Sequence, residues 1–214
     1  MDVSNLQRQI LYREQDIGKA KAELAAEQLQ SRNHSVQVEL YPEGITAENA
    51  EEILAKFDVI VDASDNFPTR YLLSDTCMKL GKPDVYGAIC EFAGQVTVFA
   101  SDGPCLRCLC PEAKDPSGNP NSAAYGVLGV IPGMIGCMQA AEVLKLLLGK
   151  GEALIGKLLF IDAKTWSTDL IEVPVHPQCS CHAHTKSSPD VKTVLKIDIW
   201  NNLFTSQEKN DKIN

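Results

Sequence analysis

The stretch DVIVDASDN, residues 58–66, reads as an apolar strand (Val59, Ile60, Val61) that stops in a cluster of acidic and small residues. Its neighbours set the rhythm. Upstream, EQDIGKAKAELAAEQLQSR, Glu14 to Arg32, is rich in helix formers, with Ala22, Ala25, Ala26 and Leu29 on one face. Val36 to Tyr41 alternates as a strand, and Thr46 opens a helix through Ile53, Leu54 and Phe57. Downstream, Thr69 to Leu80 predicts a helix that Gly81-Lys82-Pro83 stops. Val85, Ile89 and then Gln95 to Ala100 predict further strands. Strand, helix, strand, helix, strand predicts an α/β fold with a mostly parallel sheet and crossover helices. Ligands of such sheets sit beyond the carboxyl ends of strands, which singles out Asp62, Ser64, Asp65 and Asn66.

Composition narrows the function. The 214 residues are 44% hydrophobic and 22% charged, which suits one globular domain with a short appendage. Lys and Arg number 20 against 28 Asp and Glu, a formal charge of −8. That balance argues against general binding to nucleic acid or anionic membranes. No basic-then-apolar signal opens the sequence, which predicts a cytoplasmic protein. Eight cysteines in such a compartment point to metal binding or thiol chemistry before disulfides. Pro116 to Ala141 carries no charge and is long enough to cross a bilayer. Its prolines 116, 120 and 132 and five glycines argue instead for a loop followed by a buried helix, from about Ile131 to Leu148. Two strands, Lys157 to Asp162 and Leu170 to Val173, are expected before a second Cys-rich patch at 179–184. The domain thus spans 1–184, and 185–214 reads as a polar tail.

Cys105-Leu-Arg-Cys108 and Cys179-Ser-Cys181 lie far apart in sequence. Two such pairs assemble a tetrahedral thiolate zinc site, because each turn supplies two ligands at the correct bite. The second pair is one residue short, and His182 would restore the spacing from Cys179, so the fourth ligand is Cys181 or His182. Cys77, Cys90 and Cys137 fall in apolar surroundings and read as buried small hydrophobes; Cys110 has no assigned role.

At the front, SNLQRQ (Ser4 to Gln9) precedes Gly18-Lys19-Ala20-Lys21 at a helix start. Arg8 and Lys21, taken with Asp65-Asn66 at a strand terminus, suggest a triphosphate and magnesium site. With VDASDN and Arg70, the GQVTVF strand, CLRC and the GVLG-IPG-IG-QA-E-LK pattern, these segments resemble the ThiF/MoeB adenylyltransferases, relatives of ubiquitin-activating enzymes. The resemblance implies a Rossmann-like sheet with a zinc knuckle and a homodimer. It also implies ATP-dependent adenylation of the C-terminal glycine of a ubiquitin-like sulfur-carrier protein ending in Gly-Gly. By motif match, Ser4, Asn5 and Arg8 contact the nucleotide, Lys21 its phosphates, and Asp65 the magnesium, with Asn66 beside it and Arg70 orienting the loop. Cys105, Cys108 and Cys179 match the family's zinc ligands, with Cys181 the thiol nearest the fourth position.

Two departures qualify the resemblance. The family's opening strand, glycine-rich loop and helix have no counterpart before SNLQRQ, and Asp2 lies too close to Ser4 to serve as the ribose-binding acid. Without a G-x-G-x-x-G cradle, weak ATP binding by this chain is expected. Ser122 stands where some members carry the cysteine used for a thioester or persulfide, which predicts a reaction that stops at the adenylate. The alternative is a non-enzymatic, zinc-stapled protein that binds a carrier or a complete paralogue.

Overall fold

The computed structural model describes residues 1–111 and 126–182. All belong to one compact unit, Met1–Ala183; Ser122 and the 185–214 tail lie outside the described residues. Five strands form a single sheet in the order β1 (Ile60–Asp62), β2 (Asp84–Cys90), β3 (Ala93–Phe99), β4 (Lys157–Asp162) and β5 (Ser167–Glu172). Around it lie α1 (Lys21–Arg32), α2 (Ala50–Ala55), α3 (Phe67–Leu80), α4 (Leu106–Leu109) and α5 (Val130–Leu148), with short 3-10 turns at Val3–Asn5, Glu14–Asp16 and Ser180–His182.

The α3 helix shows how local chemistry sets the boundaries. The Asn66 side chain accepts from the Thr69 amide at 3.0 Å, Pro68 sits in the first turn, and Gly81 closes the helix with φ of 65°. On the α2 and α3 side of the sheet, Leu54, Ile60, Leu73 and Cys77 form one cluster. Tyr86, Ala88, Phe99 and Leu106 form another. On the opposite side, Val96 meets Ile131 and Ile135 of α5. That approach is close enough to require glycine. A Cβ on Gly94 would lie 2.4 Å from Ile135 Cγ1, and one on Gly87 2.4 Å from Gln139 Cδ.

The α/β, Rossmann-like class stands, with several differences of detail. The β1–β2 pairing is parallel, with Ile60 opposite Asp84 and Asp62 opposite Tyr86. The other three pairings are antiparallel, because β2 returns through a two-residue turn at Glu91-Phe92 and the later strands follow in sequence order. Residues 36–41 form no strand, and Val36 and Leu40 are exposed. Alternation supplies a strand only where a neighbour completes the ladder, and β1 pairs with β2 alone among the described residues. The first helix starts at Lys21 and buries Leu24 and Ala26, while Leu29 of the expected face is exposed.

The long apolar helix is not wholly buried. Ile131, Ile135, Gln139 and Glu142 face inward, whereas Val130, Leu144, Leu147 and Leu148 are 56–64% exposed. Cys137 lies on the exposed side, so its expected burial fails; Cys77 is buried and Cys90 half-buried. This helix is long and apolar enough to cross a membrane, at mean hydropathy 1.4. Glu142, 5% exposed and paired with Lys145, ties it to the protein by accepting from the Leu154 amide at 2.9 Å.

Candidate functional site

Two turns build the cysteine cluster. Cys105 precedes α4, whose first turn is closed by the Cys108 amide donating to the Cys105 carbonyl at 2.9 Å. In the 3-10 turn Ser180–His182, the His182 amide donates to the Cys179 carbonyl at 3.1 Å. One ligand atom each from Cys105, Cys108, Cys179 and His182 all lie within 4.8 Å of one another. Cys105 Sγ is 3.8 Å from Cys108 Sγ and 3.4 Å from Cys179 Sγ. Cys105 and Cys179 are buried, and the other two are half-buried. Three thiols and an imidazole at this spacing suit a structural zinc.

Sharing of one proton between the thiols splits their acidities. The hydrogen bond from Cys105 holds the Cys108 thiol down at about 5, and the same bond with burial pushes Cys105 far up. A cation placed here would meet a thiolate already favoured at Cys108.

Cys181 borders this set and hydrogen-bonds the Cys105 thiol. Its Sγ donates to Asp75 Oδ1 on α3 at 3.4 Å, and burial together with the Asp75 charge pushes its thiol up to about 11. Of the two candidates for the fourth position, His182 lies within 4.8 Å of the three thiols, and Cys181 hydrogen-bonds both the Cys105 thiol and Asp75. Sequence spacing raised both and could not choose.

The α3 helix connects this knuckle to the acidic loop. Its middle turns hold the knuckle: Arg107 donates bidentately to Asp75 at 2.9 and 2.7 Å, the Leu106 amide donates to Ser74 Oγ at 3.2 Å, and Tyr71 Oη donates to the Cys110 carbonyl at 2.6 Å. Arg107 also lies over the Tyr71 ring, 4.6 Å from its centroid. Burial raises the Cys110 thiol, which makes it a poor nucleophile.

The first turn of α3 holds the loop. Arg70 donates to the Ser64 carbonyl and to Tyr86 Oη, both at 2.6 Å, and Gln95 Nε2 donates to the same hydroxyl at 3.2 Å. Asp62 Oδ1 accepts from the Ser64 amide at 2.8 Å and from Ser64 Oγ at 2.6 Å. From the α5 side, Gln139 Nε2 donates to the Asp62 carbonyl at 2.8 Å and the Val85 carbonyl at 3.0 Å, bridging β1 and β2. Loop position is therefore fixed from both faces of the sheet, while Asp65 and Asn66 remain exposed beyond the end of β1. Beside the start of β1, Asp84 is fully buried with neither carboxylate oxygen hydrogen-bonded among the described residues, and burial, then the Asp62 charge, raises its pKa well above the ordinary carboxylate value.

The N-terminal candidates form a second group. Asp2 Oδ1 accepts from the Ser4 amide at 2.8 Å; Arg8 donates to the Ser4 carbonyl at 3.0 Å and to Asn5 Oδ1 at 2.8 Å. Lys21 opens α1, exposed, with its carbonyl accepting from Tyr12 Oη at 3.1 Å. Ser4, Asn5 and Arg8 are thus brought together, as are Asp65 and Asn66. Among the described residues no hydrogen bond or ion pair joins the two groups.

A model of the ThiF family matches residues 1–183. A SAMP-activating enzyme E1 of Haloferax volcanii is 50% identical over 176 residues, covering 82% of this chain and 65% of the relative. A sulfur carrier protein adenylyltransferase of Thermus thermophilus is 49% identical over 185 residues, covering 84% and 68%. An adenylyltransferase and sulfurtransferase MOCS3-1 of Zea mays is 43% identical over 214 residues, covering 99% and 45%. The chain therefore spans from under half to about two thirds of these curated relatives. Among solved structures, the Escherichia coli MccB complex with ATP superposes with a TM-score of 0.72 at 19% identity, over 85% of this chain and 56% of that one, a likeness of fold.

Proposed function

This chain belongs to the ThiF family, and from that premise we propose that it serves ATP-dependent adenylation of the C-terminal glycine of a ubiquitin-like sulfur-carrier protein. One arrangement carries the reading. Asp65 and Asn66 stand exposed at the carboxyl end of the one strand in a parallel pair that leads into a helix, where nucleotide ligands of such sheets bind. The relatives' names, which include a sulfur carrier protein adenylyltransferase, support the substrate class.

In this reading the carrier's terminal carboxylate attacks the α-phosphorus of ATP, the bond to the bridging oxygen breaks, and pyrophosphate leaves. The chain's part is alignment of two anions and neutralisation of phosphate charge. Ser4, Asn5 and Arg8 contact the nucleotide, and Lys21 its phosphates. Asp65 would hold a magnesium ion, supplying charge neutralisation on the phosphate oxygens, with Asn66 beside it. Arg70 fixes the loop through Ser64 and touches no substrate. Ser122 in place of a sulfur-bearing cysteine leaves the adenylate as the end point. Zinc held by Cys105, Cys108 and Cys179, with Cys181 or His182 in the fourth place, would staple two segments 74 residues apart. A second copy meets the exposed leucines of α5 in a homodimer.

ATP–pyrophosphate exchange with a Gly-Gly-tailed carrier tests the activity. Carrier-dependent exchange, raised by supplying an upstream glycine-rich segment and lost in Asp65→Ala, supports it. No exchange with or without that segment, while the carrier still binds, favours the non-enzymatic alternative.

A further inference from the structure

We propose that Gln139 of α5 is a positioning residue for the acidic loop: its side-chain amide, seated against Gly87, fixes the carboxyl end of β1 and with it the Asp65 carboxylate. The proposal deepens the function reading above, on which its link to the reaction rests.

The inward face of α5 carries Ile131, Ile135, Gln139 and Glu142, spaced as one helical stripe. Ile131 and Ile135 pack on Val96 of β3, and packing alone would continue the stripe with an apolar side chain. The next position is instead a glutamine, buried at 6% exposure. Its amide nitrogen has two hydrogens and two acceptors. Gln139 Nε2 donates to the carbonyl of Asp62, the last residue of β1, at 2.8 Å, and to the carbonyl of Val85 on β2 at 3.0 Å. The fit depends on the glycine opposite. A Cβ on Gly87 would lie 2.4, 2.6 and 2.7 Å from Gln139 Cδ, Nε2 and Oε1, so a larger residue there displaces the amide.

Asp62 passes the constraint on. Its carbonyl is held from the α5 side, while its Oδ1 accepts from the Ser64 amide at 2.8 Å and the Ser64 hydroxyl at 2.6 Å. From α3, Arg70 donates to the Ser64 carbonyl at 2.6 Å. Asp65 follows directly and is exposed. The direction of its carboxylate is thus set by neighbours that touch no substrate, the kind of support that orients a metal-holding side chain.

Backbone hydrogen exchange of the full chain, read by mass spectrometry, separates positioning from general stability. Gln139→Met keeps the volume and removes both donors. It is expected to speed exchange over residues 62–66 by about tenfold while β3 and β4 keep their wild-type protection. Gly87→Ala keeps the amide and pushes it off the two carbonyls. It is expected to give the same loop-specific rise, and it covers the case in which Gln139→Met does not fold. In carrier-dependent ATP–pyrophosphate exchange with the upstream glycine-rich segment supplied, the magnesium concentration at half-maximal rate is expected to rise about tenfold in either variant, with the carrier dependence unchanged. Unaltered loop exchange in both variants, or a rise shared equally by β3 and β4, overturns the positioning. A loosened loop with an unaltered magnesium dependence overturns the link to Asp65. Loop-specific loosening in a chain inactive under every condition overturns the function reading and upholds the hold of Gln139 on the loop.

Discussion

Asp84 is the residue whose chemistry most strains its place. Its carboxyl group is fully buried in the sheet, its oxygens have no hydrogen-bond partner among the described residues, and Asp62 adds a second negative charge. The protonated form is therefore favoured in the folded chain. Because the folded pKa lies above the unfolded value, the group favours folding most below ordinary carboxylate pH, and that contribution is lost as pH rises toward the folded pKa. The loss runs at about 1.4 kcal/mol for each pH unit while the folded carboxyl stays protonated and the unfolded one does not. Asp84→Asn keeps the shape without the titration. Thermal melts are expected to coincide near pH 4 and to favour the variant increasingly toward pH 7; a difference that does not grow with pH rejects the argument. Sequence legibility is uneven at this scale. Asp65 and Asn66 were readable because a strand's end is readable, and the three cysteines because their spacing is chemical. Asp75, Arg107 and Gln139 were not, because their partners lie 32 to 77 residues away and only the packed fold joins them.

Among the elements, α5 carries most of the tertiary argument, since one of its sides meets the sheet and the other meets solvent. Its approach to β3 depends on Gly94, where an added Cβ would fall 2.4 and 2.5 Å from Ile135 Cγ1 and Cδ1. Gly94→Ala is expected to cost about 1–3 kcal/mol by overpacking. A thermal melt of Gly94→Ala with Ile135→Val should recover part of that loss, since the two positions share one contact. No loss in the single variant would mean that the helix can stand further from the sheet. On the other side, Leu144 and Leu147 are 56% and 57% exposed on neighbouring turns. Leu144→Lys with Leu147→Lys is expected to turn a dimer into a monomer in sedimentation velocity with the melting temperature little changed. An unaltered dimer would move the interface off this helix. The long uncharged run made the helix legible, but composition cannot tell a buried face from one kept for a partner. For residues 36–41 the reverse held: alternation was legible, and the missing quantity was a neighbour strand.

For the molecule as a whole, the balance of charge and of backbone donors bears on nucleotide affinity. The chain carries a formal charge of −8, and the cations assigned to the phosphates, Arg8 and Lys21, are respectively half-buried against its own segment and exposed. Exposed cations in water gain little from an anion and are screened by salt, with a Debye length of roughly 8 Å at physiological ionic strength. Tight phosphate binding in parallel sheets depends more on converging backbone amides at a glycine-rich turn, and no G-x-G-x-x-G occurs in the 214 residues. In the proposed site, a triphosphate contacting Arg8, Lys21 and magnesium at Asp65 would be held by a few screened contacts. Isothermal titration of ATP and magnesium into this chain is expected to give a Kd in the millimolar range, roughly −4 kcal/mol, weakening further as salt is raised. Asp65→Ala is expected to abolish what binding there is without lowering the melting temperature, because the side chain is exposed beyond the end of β1. A micromolar Kd would show that other backbone amides do the work of the glycine turn, and the loop between Asp62 and Asn66, fixed from both faces of the sheet, would be the first place to look for them.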